Sequence, residues 1–92
     1  MMTDLGAALR PHPDVIAKRL KDKTAVLVHM GTNSIFELNE TGAKVWELLA
    51  EGVSTEGIVR QLVEQFEVEE VQAADEVKRL ITQLRTNQLL AS

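Results

Sequence analysis

The side chains that could do chemistry here are few: two histidines, fourteen acids, ten bases and a scatter of hydroxyls, with no cysteine or tyrosine. His12 and His29 stand far apart, and neither has a second histidine or cysteine at the i+3 or i+4 spacing that a metal site needs. Both read as surface or edge-strand histidines. Ser34 and Ser54 sit in no G-x-S-x-G context. Gly31, Gly42, Gly52 and Gly57 are isolated punctuation and make no phosphate-cradling loop. The acidic run from Glu67 to Glu76 could in principle pair carboxylates for acid–base work or for a divalent ion. Its position between helical patterns reads instead as a solvated linker and a first helical turn, where carboxylates favour the helix dipole. No catalytic constellation assembles, so the expectation is a protein that is not an enzyme and uses no metal or cofactor.

Charge narrows the partners. The net charge is −4 over 92 residues, and most acids follow Glu47, while bases gather at Lys18, Arg19, Lys21 and Lys23 and again at Lys78, Arg79 and Arg85. An acidic chain is penalised near nucleic acid, whose affinity comes largely from neutralised phosphates, so no nucleic-acid partner is expected. No run reaches the roughly 18 apolar residues of a membrane span, and the N-terminus has no secretory pattern. With no cysteine as well, a cytoplasmic protein without a membrane partner is expected.

The elements that must position any site follow from periodicity. Residues 1–13 read as a flexible lead-in, with Pro11 and Pro13 forcing extended backbone around His12. Residues 14–92 form a single domain. Val15 to Leu20 reads as a short strand, Lys21-Asp22-Lys23 as a turn, and Thr24 to His29 as a β-branched strand. Gly31 and Asn33 can both take positive φ in the next turn, and Ser34 to Leu38 alternates as the returning strand. The period then changes. Asn39 is placed to cap a helix whose stripe is Val45, Trp46, Leu48 and Leu49, with Trp46 in the core and Gly52 at the end. A second helix starts at Ser54 or Thr55 and buries Ile58, Val59, Leu62, Val63 and Phe66. A third runs from about Gln72 to Thr86 with Ala74, Val77, Leu80, Ile81 and Leu84 inward, and Leu89 and Leu90 fold back on the core. Three antiparallel strands followed by a three-helix bundle give an α+β fold.

The stretch from Phe36 to Leu49, with Leu-Asn-Glu-Thr-Gly-Ala followed by Val-Trp, resembles the PqqD family. The likeness runs on through Gly52 to Thr55, Ile58…Leu62…Phe66-Glu67-Val68, Val77…Leu80-Ile81…Leu84 and the terminal Leu-Leu, covering about residues 15 to 90. One departure is visible: many relatives carry Gly-Leu after the last helix, where this chain has Gln88-Leu89, which leaves Asn87 to take the left-handed cap. The resemblance implies a winged helix-turn-helix-like fold and a recognition role in the biosynthesis of ribosomally made, modified peptides, such as pyrroloquinoline quinone or lasso-peptide assembly. Proteins similar to PqqD bind the leader of a precursor peptide as an added strand, held against the third helix. They present the rest to a modifying enzyme, such as a radical S-adenosylmethionine protein or a leader peptidase.

The residues fit that role. Strand addition needs an open sheet edge and pockets for alternate side chains. Ser34, Ile35, Phe36, Glu37 and Leu38 carry neither lysine nor proline, the usual guards against edge pairing. Alternation turns Phe36 and Leu38 to the core and Ile35 and Glu37 outward. On the third helix Lys78, Thr82 and Arg85 share a stripe beside Ile81, and with Val77 they are the expected helical wall of the groove. Lys78 and Arg85 are equally readable as a solvated face. Two other readings use the same fold: a DNA-binding winged helix, and a dimerising module whose edge strand pairs with its own copy. Against the first, the second helix exposes Glu56, Glu64 and Gln65 with Arg60 as its one base.

Overall fold

Alternation of small and branched residues builds the sheet. In the computed structural model, which describes residues 9–91, the strands are β1 (Arg10–Pro11), β2 (Val15–Arg19), β3 (Ala25–His29) and β4 (Ser34–Leu38). β2, β3 and β4 form an antiparallel sheet in that order. Ala17 lies opposite Leu27 and Leu27 opposite Phe36, so a single register runs across all three strands. On β3, Ala25, Leu27 and His29 point inward and are buried, while Val28 is exposed.

Two local features depart from expectation. Residues 10–12, inside the expected lead-in, are tied to the far end of the chain. β1 pairs antiparallel with β5 (Leu90–Ala91), Arg10 opposite Ala91 and Pro11 opposite Leu90, and the His12 amide donates to the Leu89 carbonyl at 3.0 Å. Two-residue strands have no period to detect, and these partners come from opposite ends of the chain. Residues 1–8 of that lead-in lie outside the described residues. His29, read as a surface or edge histidine, is buried in the central strand. Its Nδ1 accepts from the backbone amides of Gly31 at 3.1 Å and Thr32 at 3.3 Å, which meets the need of a buried polar atom for a partner. His12 packs against it with ring centroids 4.7 Å apart.

The turn after β3 divides the work between two residues. Asn33 takes the left-handed position at φ 61. Gly31 does not; a Cβ there would meet the His29 ring at 3.0 Å and the Asp14 carboxylate at 3.1 Å, so the close approach favours a residue without one.

The helices are α1 (Glu40–Ala50), α2 (Thr55–Phe66) and α3 (Glu70–Thr86). Asn39 caps α1 by accepting the Gly42 amide at 2.8 Å, and Gly52, at φ 85, lets the Val53 amide return to the Leu48 carbonyl at 3.0 Å. Ser54 caps α2 through the Gly57 amide. α3 begins at Glu70, earlier than Gln72, so the acidic run extends into the helix, where its N-terminal end favours the charge. At the far end, Asn87 stays at φ −92 and Gln88 takes the left-handed position at φ 60.

The helices bury one aliphatic core with the inner face of the sheet: Leu27, Leu49, Ile58, Leu62, Leu84 and Leu89 are all but fully enclosed. Trp46 joins them, as does the tail through Leu89 and Leu90. Arg19 reaches Glu47 of α1 at 3.6 Å, a solvated ion pair worth at most about 1 kcal/mol. Among the described residues no helix is long and apolar enough to cross a membrane.

Candidate functional site

The sheet has two outer edges of different character. β2 presents Lys18 and Arg19 along its edge, and lysine there discourages further pairing. β4 pairs with β3 alone among the described residues, and it carries neither lysine nor proline. Leu38 is buried, Phe36 packs half-buried against the core, and Ile35 and Glu37 face solvent. Ser34 opens the strand, its hydroxyl 2.7 Å from that of Thr32. The five residues thus combine anchored inward side chains with a line of backbone donors and acceptors that no other described strand pairs with.

Directly past Leu38, a hollow of about 330 Å³ opens between the start of α1 and one flank of α3. Asn39, Thr41, Gly42 and Val45 form one wall, and Glu76, Arg79, Leu80 and Gln83 the other. Arg79 also holds Asp75 at 3.1 Å one turn back. The capping bond from Gly42 to Asn39 fixes the near wall, because both residues line the hollow.

The helical residues singled out in the sequence lie elsewhere. Lys78, Ile81, Thr82 and Arg85 line a larger hollow of about 710 Å³ between α2 and α3, whose opposite wall includes Val59, Arg60 and Val63. No residue of β4 lines either hollow; the smaller one reaches the strand through Asn39, the residue that follows it, and the larger one does not. Val77 is wholly enclosed in the core, so it supports the helix and offers no contact surface. The structure therefore brings Ser34 to Leu38 together as one edge, but does not bring the Lys78–Thr82–Arg85 stripe to that edge. The reason is rotation. At 100° per residue, Lys78, Ile81 and Arg85 fall to one side of the buried line Ala73–Val77–Leu84, and Leu80 and Gln83 fall to the other. Spacing along a helix identifies residues that share a face without saying which neighbour that face meets. The Leu80–Gln83 flank was signalled only by Leu80 sitting at the margin of the apolar stripe.

Electrostatics around the edge are mild. Asp22, in the turn between β2 and β3, has its carboxyl held below the ordinary range because it accepts from the Thr24 hydroxyl and then from the Thr24 amide. Among the described residues, no group of three or more histidine, cysteine or acidic side chains comes together as a metal site.

A three-stranded antiparallel sheet followed by three helices, with one sheet edge left open among the described residues, defines a small α+β domain of the winged helix-turn-helix-like kind. The chain belongs to the PqqD family: the model described as Coenzyme PQQ synthesis protein D (PqqD) matches residues 24–90, which take in β3, β4 and all three helices. Two solved structures are similar. One, TbiB1 in complex with the TbiA(beta) leader peptide, has a TM-score of 0.84 and 25% identity, over 90% of this chain and 95% of that one. The other, a lasso peptide synthetase B1 complexed with the leader peptide, has a TM-score of 0.84 and 24% identity, over 94% of this chain and all of that one. No curated protein matches the sequence.

Proposed function

We propose that this chain is a non-catalytic carrier that takes up the leader segment of a ribosomally made precursor peptide as a fourth strand on β4 and presents the remainder to a modifying enzyme. The observation that carries the reading is the unguarded edge Ser34–Leu38, beside an edge at β2 that is guarded. Membership of the PqqD family supports it, as does likeness to two proteins solved with leader peptides bound. The enzyme would be of the radical S-adenosylmethionine or leader-peptidase kind.

The energetics suit a transient carrier. Four or five backbone hydrogen bonds net about 0.5–1.5 kcal/mol each, and an apolar anchor in the hollow at Leu80 adds to them. Ordering the peptide costs about 2–5 kcal/mol, so the affinity falls near millimolar at central values and reaches about micromolar only with every term at its favourable end. Tethering then does the rest. A core peptide held beside an enzyme reaches an effective concentration of about a millimolar, with no catalytic group needed on the carrier.

On this reading the helical contribution comes from Leu80, Gln83 and Arg79 rather than from Lys78, Ile81, Thr82 and Arg85. The experiment is a calorimetric titration with the leader peptide of a precursor encoded beside this chain. Saturable binding that a proline in the middle of the peptide abolishes is expected. Binding indifferent to that proline would reject strand addition.

A further inference from the structure

The outer face of the sheet carries a pattern that strand addition does not use. Ile16 lies opposite Val28, and Val28 opposite Ile35, so one apolar row crosses all three strands. These three are 55%, 36% and 69% exposed, although branched aliphatic side chains of this kind normally cover a core. The next row on the same face is Lys18–Val26–Glu37, again in direct register. Its middle is apolar and its two ends carry opposite charge.

This arrangement is complementary to itself. If a second copy packs face to face about a two-fold axis running along β3, its β4 lies over β2 and its β2 over β4. Val28 then meets Val28 of the partner subunit, and Ile16 meets Ile35 of the partner subunit. Each Lys18 meets Glu37 of the partner subunit. A two-fold interface requires this self-matching of one patch, and aligned sheets pack at about 10 Å, a distance such side chains fill.

We propose that the outer face of β2–β3–β4 is a homodimer interface, with a second copy of this chain as its occupant. The proposal does not depend on what the β4 edge binds, because face-to-face packing leaves the backbone of that edge free. Three strands of five residues span only about 14 by 17 Å. The contact therefore belongs to the small class, under about 1,200 Å² in total, that gives transient association, and a Kd on the order of 100 μM is expected.

Charge exchange tests the geometry. Sedimentation of the full chain from about 10 μM to about 1 mM, a range that brackets such an affinity, should show a reversible monomer–dimer equilibrium. Lys18→Glu places like charges across the interface, as does Glu37→Lys, so each variant alone should associate about tenfold more weakly or worse. An equimolar mixture of the two should recover wild-type association. In the mixed dimer the acid introduced by the first variant faces the base introduced by the second, and the other contact is again native Lys18 against native Glu37. Circular dichroism of each variant checks that these exposed substitutions leave the fold intact. A wild-type chain that stays monomeric at about 1 mM overturns the proposal and leaves the face to a different partner. Association that neither single variant weakens also overturns it, and points to pairing through a strand edge. A mixture no heavier than its components does so as well.

Discussion

The Asn39 side chain accepts the Gly42 amide at 2.8 Å one residue after β4 ends, so a single hydrogen bond joins the open sheet edge to the first turn of α1. It satisfies one of the donors that a helix N-terminus leaves free. It also sets the wall of the hollow next to the edge. Asn39→Ala should lower stability by about 1 kcal/mol, read as a shift in the urea midpoint at unchanged slope, and should weaken leader binding as that wall loosens. A variant with wild-type stability would mean that the cap contributes nothing.

Gln88 offers a change in the other direction. The Leu89 amide returns to the Leu84 carbonyl at 2.8 Å and the Gln88 amide to the Arg85 carbonyl at 3.0 Å, the paired bonds that close a helix through a left-handed residue. Gln88 holds φ 60 there, where a side chain costs about 1 kcal/mol or somewhat more. Gln88→Gly should therefore raise the melting temperature by several degrees. The gain is less than the full relief of strain because glycine also loses more chain entropy on folding.

His29 should tolerate shape-preserving substitution poorly. In His29→Leu the Gly31 and Thr32 amides lose the Nδ1 acceptor they share. A loss of about 1–3 kcal/mol is expected, with the turn leading into β4 becoming the first segment to exchange its amide protons. Protection of residues 31–33 equal to wild type would contradict this role.

The two flanks of α3 should separate in binding. Leu80→Ala removes the apolar side chain that α3 gives to the hollow past Leu38 and should weaken leader affinity about tenfold, the effect of losing a modest anchor. Lys78→Ala and Arg85→Ala alter the hollow shared with α2 and should leave affinity within about twofold, a difference of under 0.5 kcal/mol. The reverse ranking in a binding isotherm would move the peptide to the α2–α3 side.

How much of this was legible beforehand depends on the range of the interaction. The meander, the cap at Asn39 and the inward set on β4 were readable, because alternation and capping are decided within a few residues. Pairing of Arg10–Pro11 with Leu90–Ala91 was not, since two residues have no period and their partners lie at the far end of the chain. Burial of His29 depended on which strand became central and on two backbone amides curling back to it. The left-handed residue fell to Gln88 rather than to Asn87, although asparagine tolerates that region better, because the helix ran to Thr86 and the return of Leu89 to Leu84 fixed the position. At the candidate site, the edge strand could be read from its own composition. Which flank of α3 faces the hollow beside Asn39 could not, because that depends on how the helix is turned against α1 and α2.

The most direct test of the carrier reading is a map of amide chemical shifts as labelled protein is titrated with the neighbouring precursor's leader peptide. The reading predicts shifts concentrated on residues 34–38, with a second group at Thr41, Leu80 and Gln83. No shifts at about 1 mM peptide, where binding would be weaker than about −4 kcal/mol, or shifts confined to Lys78, Thr82 and Arg85, would contradict it.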